Sequence, residues 1–372
     1  MTNDIPDDRL FGEDAPLRIA DQGYFFVGGE YAGSADGSHM SGQMFVQYQI
    51  PSERRSPLPI VMIHGGGQTG TNFLGTPDGR RGWADYFVAN GYAVYVVDQP
   101  GRGRSGYFPT RYGAGVHRGT QTAAARFTAP ENAKLWPQAR RHSQWPGAGT
   151  QGDAVFDQFY ASQVEGMRDI AQIERLMRAA GAALLDRIGP SVLLTHSQSG
   201  PFGWTLADAR PKLVKAIVAV EPQGAPLHEI RFLGADEDAL RYVDDSEIAR
   251  PWGITRGPLT FDPPVGDASQ MSFVKQPAPD APDLVACWLQ AEPARMLVNL
   301  AGIPILIVTS EASYHAPYDH CTSRFLAQAG VEHDFVRLAD IGIRGNGHMM
   351  MLEKNNLEIA AYFRRWLSEN VS

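Results

Sequence analysis

Five short runs of unbroken apolar character punctuate the chain: "PIVMIH" (59–64), "AVYVVD" (93–98), "SVLLTH" (191–196), "KAIVAV" (215–220) and "IPILIVTS" (303–310). A strand covered on both faces has no polar side to present, so such runs predict central strands of a parallel sheet. Between them, apolar positions recur at helical spacing over 80–90, 199–209, 316–329 and 356–368. The helical period is strongest across "FDQFYASQVEGMRDIAQIERLMRAAG", where Tyr160, Val164, Met167, Ile170 and Met177 fall on one face as a core-packing stripe. Nearer the N-terminus, "GYFFVGGEY" and "QMFVQYQI" alternate and predict an antiparallel lead-in hairpin. Strands alternating with helices give an α/β class, with a mostly parallel central sheet flanked by helices.

Residues 99–153 and 225–300 break this rhythm, being long and rich in Pro, Gly and Trp. Connections of that length are usually functional or carry small elements of their own. The reading is one catalytic domain, 1–372, with cap or lid insertions at those two places; no internal repeat or low-complexity tract is visible. A net charge of -8 argues against nucleic acid or an anionic membrane as the main partner. The stretch "MTNDIPDDRLFGED" is acidic where an export signal would be basic and then apolar, and no apolar run reaches membrane-spanning length. Cys287 and Cys321 have no ligand spacing around them and read as two reduced, structural thiols. Together these features predict a cytoplasmic protein.

The candidate chemistry centres on "LTHSQSGP" (194–201), which follows a predicted strand and contains two serines. A nucleophile elbow is a strand, a very tight turn and a helix, and it needs small residues two before and two after the nucleophile. Around Ser197 those are Thr195 and Ser199; around Ser199 they would be Ser197 and the bulkier Pro201. Ser197 is the better candidate, with Gly200 and Pro201 opening the helix. A serine after a strand can equally be a helix cap, so the rest of the set matters. His64-Gly65-Gly66-Gly67 follows an early strand, where unobstructed backbone N–H groups could meet a developing oxyanion; Gly66 and Gln198 are the expected donors. His348, in "GNGHMMM", follows the last predicted strand and fits the chain order serine, acid, histidine. Two carboxylates end suitable strands, Glu221 and Glu311, and position alone does not choose between them.

Two other patterns carry less. Gly101-Arg102-Gly103-Arg104-Ser105-Gly106 formally spells a dinucleotide fingerprint, but "YFPTRYGAG" after it is no helix start, so a tight turn at the edge of the site is expected and no cofactor. "YHAPYDHC" (314–321) offers His315, Asp319, His320 and Cys321 without a metal-ligand pattern, so no metal is expected either.

In their order along the chain, "HGGG", "DQPGRGRS", "HSQSG" and "GNGHMMM", with "TPDGRRGW" at 76–83, resemble the α/β-hydrolase superfamily, from about Pro59 onward. They are most similar to a bacterial serine carboxylesterase subgroup. The resemblance implies an α/β-hydrolase fold, a Ser197–Glu221–His348 triad with Glu311 as the alternative acid, and homodimers. The superfamily's usual glycine is replaced by Thr195, which is still small.

The expected activity is hydrolysis of carboxylic esters, including lactones, of fairly apolar small molecules through an acyl-enzyme. The alternatives are a lyase or an amide hydrolase using the same groups, and a silent binding protein using the cleft as a receptor. Trp145, Trp252, Phe261, Met271 and Trp288 have two readings, as the lining of an apolar pocket or as ordinary core.

Overall fold

Each of the five apolar runs is a strand in the computed structural model, which describes residues 16–34, 37–236 and 238–371. The acidic stretch at 1–14 lies outside the described residues. The strands are β1 (Ile19–Ser34), β2 (Gly37–Pro51), β3 (Ile60–Ile63), β4 (Val94–Asp98), β5 (Ser191–His196), β6 (Val214–Val220), β7 (His228–Asp236), β8 (Ala239–Ile248), β9 (Phe273–Lys275), β10 (Trp288–Gln290), β11 (Ile305–Thr309) and β12 (Asp334–Arg337). Eight of them form one sheet in the order β1-β2-β4-β3-β5-β6-β11-β12. β1 and β2 make the lead-in hairpin and join β4 antiparallel, while every pair from β4 to β12 is parallel.

Successive residues of the central strands feed opposite faces, as the strand period of two requires. Ile63, Leu193, Ile217 and Ile307 pack beneath the helices Ile170–Ile188, Gly200–Ala209 and Asp319–Gln328. Met62, Leu194, Val218 and Leu306 pack on the other side, with Trp83, Phe87 and Phe363 from the helices Trp83–Ala89 and Asn356–Asn370.

The expected continuous stripe through residues 156–181 is two helices, Ala154–Ala161 and Ile170–Ile188. The chain between them is pulled out of helical geometry by tertiary bonds: Val164 N–H donates to the Gly67 carbonyl, 2.8 Å, and Gly166 bridges Val116. Asp169 then restarts the helix, its carboxylate accepting from the Gln172 N–H.

Residues 99–153 carry only short helical turns, and 225–300 carries the antiparallel pairs β7–β8 and β9–β10. Cys287 and Cys321 are joined in a disulfide, correcting the expectation of two reduced thiols. They lie 34 residues apart in sequence, and only the fold brings their Cα atoms to 5.1 Å.

Candidate active site

The register of the sheet sets the site's frame. His196 pairs with Val220, and Val220 pairs with Val308, so the next residues, Ser197 and Glu221, leave the sheet side by side at its carboxyl edge. Both have left-handed backbones, Ser197 with φ 56° and Glu221 with φ 46°. Non-glycine residues seldom adopt this region, and a serine capping a helix does not need it. The turn at Ser197 is therefore an elbow, and Gly200-Pro201 opens the helix as expected.

Close approach fixes which residues the elbow tolerates. A Cβ on Gly200 would stand 2.4 Å from Pro222, and one on Gly65 would stand 3.0 Å from the Ser197 Cβ. The second serine has a structural role of its own. Ser199 Oγ donates to the Ile63 carbonyl at 2.6 Å and accepts from the His196 N–H at 2.7 Å, tying the turn to β3.

Glu221 is fully buried. Its carboxylate accepts from His348 Nδ1 at 2.5 Å, from Ser313 Oγ at 2.6 Å and from the Ser310 N–H at 2.8 Å. Burial raises the Glu221 pKa above the usual carboxylate value, against the opposing charge of His315 and the Ser313 hydrogen bond. With Nδ1 protonated toward Glu221, the neutral His348 ring presents Nε2 as an acceptor. The Tyr314 hydroxyl lies 3.3 Å from that nitrogen.

The His348 ring is held between two others, Phe127 at 5.3 Å and His315 at 4.8 Å between ring centres. His315 Nδ1 bonds Asp319 at 2.8 Å, and Thr309 Oγ1 donates to the other Asp319 oxygen. Burial disfavours a charge on His315, but Asp319 outweighs it and raises the pKa; burial pushes Asp319 itself up to about 6. His348 moves the other way, well below the ordinary imidazole value, through burial and then the positive fields of His315, Arg118 and Arg126.

The backbone around the base is equally constrained. His196 Nε2–H donates to the His348 carbonyl at 3.0 Å, and Ser310 Oγ donates to the Gly347 carbonyl at 2.8 Å. The buried Glu353 accepts from the Gly347 N–H, from Asn346 Nδ2 and from His142 Nε2 at 2.9, 2.7 and 2.8 Å. His142 Nδ1 in turn meets Glu131 at 2.7 Å. Arg80, in the "TPDGRRGW" motif, donates to the carbonyls of Leu352 and Glu353, and Trp83 Nε1 donates to that of Asn356.

Ser197, His348, Gly66 and Gln198 line one cavity of about 480 Å³. The loop at Gly65–Gly66 is set by its neighbours. His64 accepts from the Gln99 N–H through Nε2, so its Nδ1–H donates to the Gly65 carbonyl at 2.8 Å. Burial, aided by Arg102, lowers the His64 pKa to about 4, which keeps this ring neutral. Arg102 Nη2 donates to Gln198 Oε1 at 2.9 Å.

The second candidate acid, Glu311, lies apart from the base. It accepts from the Gly345 N–H at 2.9 Å and pairs with Arg344. Glycines 101, 103 and 106 form a tight turn in which Asp98 accepts from Arg104 and from the Gly70 N–H. Of the five large apolar residues with two readings, none lines this cavity. Trp145, Trp252, Phe261 and Met271 are core residues, and Trp288 donates to Asp244.

Among the described residues, two clusters bring potential metal ligands within 4.8 Å: Cys287, His320 and Cys321, and Glu221, His315 and His348. In the first, both sulfurs are in the disulfide; in the second, both Glu221 oxygens already accept hydrogen bonds.

Tyr314, His315 with Asp319, Arg118, Arg126, His142 and Glu353 surround the site without having been expected there. Of these, Tyr314, His315 and Asp319 lie in "YHAPYDHC", a stretch without a metal-ligand pattern. A π-helical turn over Ala124–Thr128 carries both Arg126 and Phe127; such turns gather at functional sites, but they leave no periodic trace in sequence.

A serine on a left-handed turn between strand and helix, at the carboxyl edge of a mostly parallel sheet, defines the class of α/β proteins with a nucleophile elbow. The chain belongs to the alpha/beta hydrolase family, whose profile matches residues 60–362. It is 46% identical over 347 residues to the probable secreted lipase phiG of Fungal sp. (strain ATCC 74256), an alignment spanning 93% of this chain and 89% of the relative. It is also similar to the atomic-resolution structure of a bacterial esterase, with 25% identity, a TM-score of 0.63, and 96% of this chain and 98% of the other covered. The fungal relative overturns the expectation of a cytoplasmic protein, because it is named a secreted one. Disulfides persist in oxidising surroundings, so Cys287–Cys321 points the same way.

Proposed function

We propose that the protein is a carboxylic ester hydrolase, acting on esters and lactones of small molecules through an acyl-enzyme on Ser197. The observation that carries this is the 2.5 Å bond from His348 Nδ1 to the buried Glu221, beside a left-handed serine on the same cavity. In this reading Ser197 Oγ attacks the acyl carbonyl while His348 Nε2 takes its proton. Glu221 holds the ring in the reactive tautomer and stabilises the imidazolium. The backbone N–H groups of Gly66 and Gln198 receive the oxyanion, and His348 returns the proton to the departing alcohol. Water then repeats the sequence on the acyl-enzyme. The relatives named lipase and esterase support the same chemistry.

The test is a panel of nitrophenyl esters and lactones with Ser197→Ala, Glu221→Gln and Glu311→Gln, alongside labelling by an organophosphonate. Ser197→Ala should lose activity and labelling together, and Glu221→Gln should lose kcat by about 10⁴, the effect of forcing the wrong tautomer. Glu311→Gln should stay within a few-fold of wild type. Full activity in Ser197→Ala would remove the nucleophile from the scheme, and a collapse confined to Glu311→Gln would transfer the acid to that residue. Turnover of cyanohydrins without any acyl-enzyme would assign a lyase instead.

A further inference from the structure

The cavity beside Ser197 is unusually cationic. Arg102, Arg118 and Arg126 all line it, and among the described residues Glu229 is the one carboxylate on its wall. Glu229 is already engaged, by Arg250 at 2.6 Å and Arg256 at 3.4 Å. Among the described residues, none of the three cavity arginines has a carboxylate within 4.0 Å. A buried guanidinium without a counter-ion is costly; Arg102 is buried, Arg118 half-buried and Arg126 exposed at the cavity rim, so that cost falls on the first two.

Arg102, only 4% exposed, braces the elbow through Gln198 and the Gly65 carbonyl. Arg118 and Arg126 do not. Arg118 stands over the Phe127 ring at 4.8 Å, with one long contact of 3.5 Å to the Gly66 carbonyl. Arg126 stands over the Tyr314 ring at 5.5 Å. Stacking of this kind occupies the flat face of a guanidinium and leaves its N–H edge available, the edge that grips a carboxylate with two parallel bonds. Phe127 and Tyr314 both lie beside the His348 ring, 5.3 and 4.6 Å between ring centres, so both guanidinium groups border the part of the cavity nearest the reacting atoms. The wall is mixed, with Val116, Phe127, Met167 and Ile170 standing beside these charges.

We propose that the substrate is an ester that also carries a carboxylate, which Arg118 and Arg126 hold while Ser197 is presented with the ester carbonyl. This rests on the ester-hydrolase reading and names the substrate class for it. It replaces the expectation of a fairly apolar ester.

Two matched pairs test it. One sets the mono-nitrophenyl ester of glutaric acid against nitrophenyl pentanoate, with the carboxylate on the acyl side. The other sets acetoxypentanoate against pentyl acetate, with the carboxylate on the alcohol side. Within each pair the readout is the ratio of kcat/KM, which does not depend on the fraction of folded enzyme. Wild type should favour the carboxylate member of at least one pair by about tenfold or more, mainly through KM. The double variant Arg118→Gln/Arg126→Gln should bring that ratio close to one, and added salt should lower it in wild type. Equal or better turnover of both neutral members by wild type would overturn the proposal, as would a double variant that depresses both members of a pair alike. No turnover of any member, together with no phosphonate labelling of Ser197, would overturn the ester-hydrolase reading itself.

Discussion

The link Glu131–His142–Glu353, buried at its last two members, makes stability depend on pH in a direction opposite to that of the histidines nearer Ser197. Burial opposes a charge on His142, but hydrogen bonds to Glu131 and Glu353 raise its pKa from 6.5 to about 9. A group raised on folding stabilises fully below its unfolded pKa, and that contribution is lost as pH climbs through the folded value. The rise from 6.5 to about 9 corresponds to roughly 3 kcal/mol, lost between about pH 6.5 and pH 9. His142 is almost wholly buried and Glu353 entirely so, but the Glu131 side chain is 34% exposed, so solvent screening makes this figure an upper bound. The depressed histidines, His64, His196 and His348, act in the other window, costing stability only as pH falls below 6.5. Urea denaturation of wild type and His142→Gln at intervals from pH 6 to 9.5, with the disulfide intact, isolates the link. The stability difference should fall by up to roughly 3 kcal/mol on going up in pH. With an m-value of at least about 3 kcal/mol/M, that is a relative midpoint movement of up to about 1 M. A difference that stays flat between pH 6.5 and 9 would show that His142 is not charged in the folded protein.

Three further expectations follow from the same geometry. The acid limb of kcat/KM should lie below 6.5, because burial, His315 and the two arginines hold His348 neutral to lower pH; a limb at or above 6.5 in a pH-rate profile would contradict this. Ser199→Ala leaves the Ile63 carbonyl and the His196 N–H without their partner, and thermal denaturation should show a loss of about 1–3 kcal/mol. A loss under about 0.5 kcal/mol would mean that the turn is held without it. Replacing Cys287 and Cys321 together by alanine reopens a loop spanning 34 residues and should cost about 4 kcal/mol in chemical denaturation, whereas an unchanged midpoint would indicate that the two thiols are unjoined in solution.

The central strands were legible because burial on both faces leaves an unbroken apolar run. β12 was not: "DFVR" is a short, partly exposed edge strand without such a run. The hairpin β7–β8, half-exposed along its length, gave no clear alternation. Ser197, Glu221 and His348 could be named as candidates because the first two directly follow strands and the third follows the last one, so position in the chain encodes position at the sheet edge. The choice between Glu221 and Glu311 could not, since both end neighbouring strands and only the side-chain direction separates them. Arg118 stands in irregular chain and Arg126 on the short π-helical turn Ala124–Thr128, and neither setting leaves a period in the sequence that marks a residue facing the cavity. The one-helix reading of 156–181 failed because its interruption comes from bonds to Gly67 and Val116, far away in sequence.

The grip of Arg80 and Trp83 on residues 352–356 also has a meaning in time. The proposed nucleophile and acid are laid down with β5 and β6, but the base follows β12, after every strand of the main sheet has been made. Its loop is then caught by a clasp synthesised near the beginning of the domain. A growing chain would thus hold Ser197 and Glu221 ready for a long interval without a base, and would become competent only when its late segment docks onto its early one.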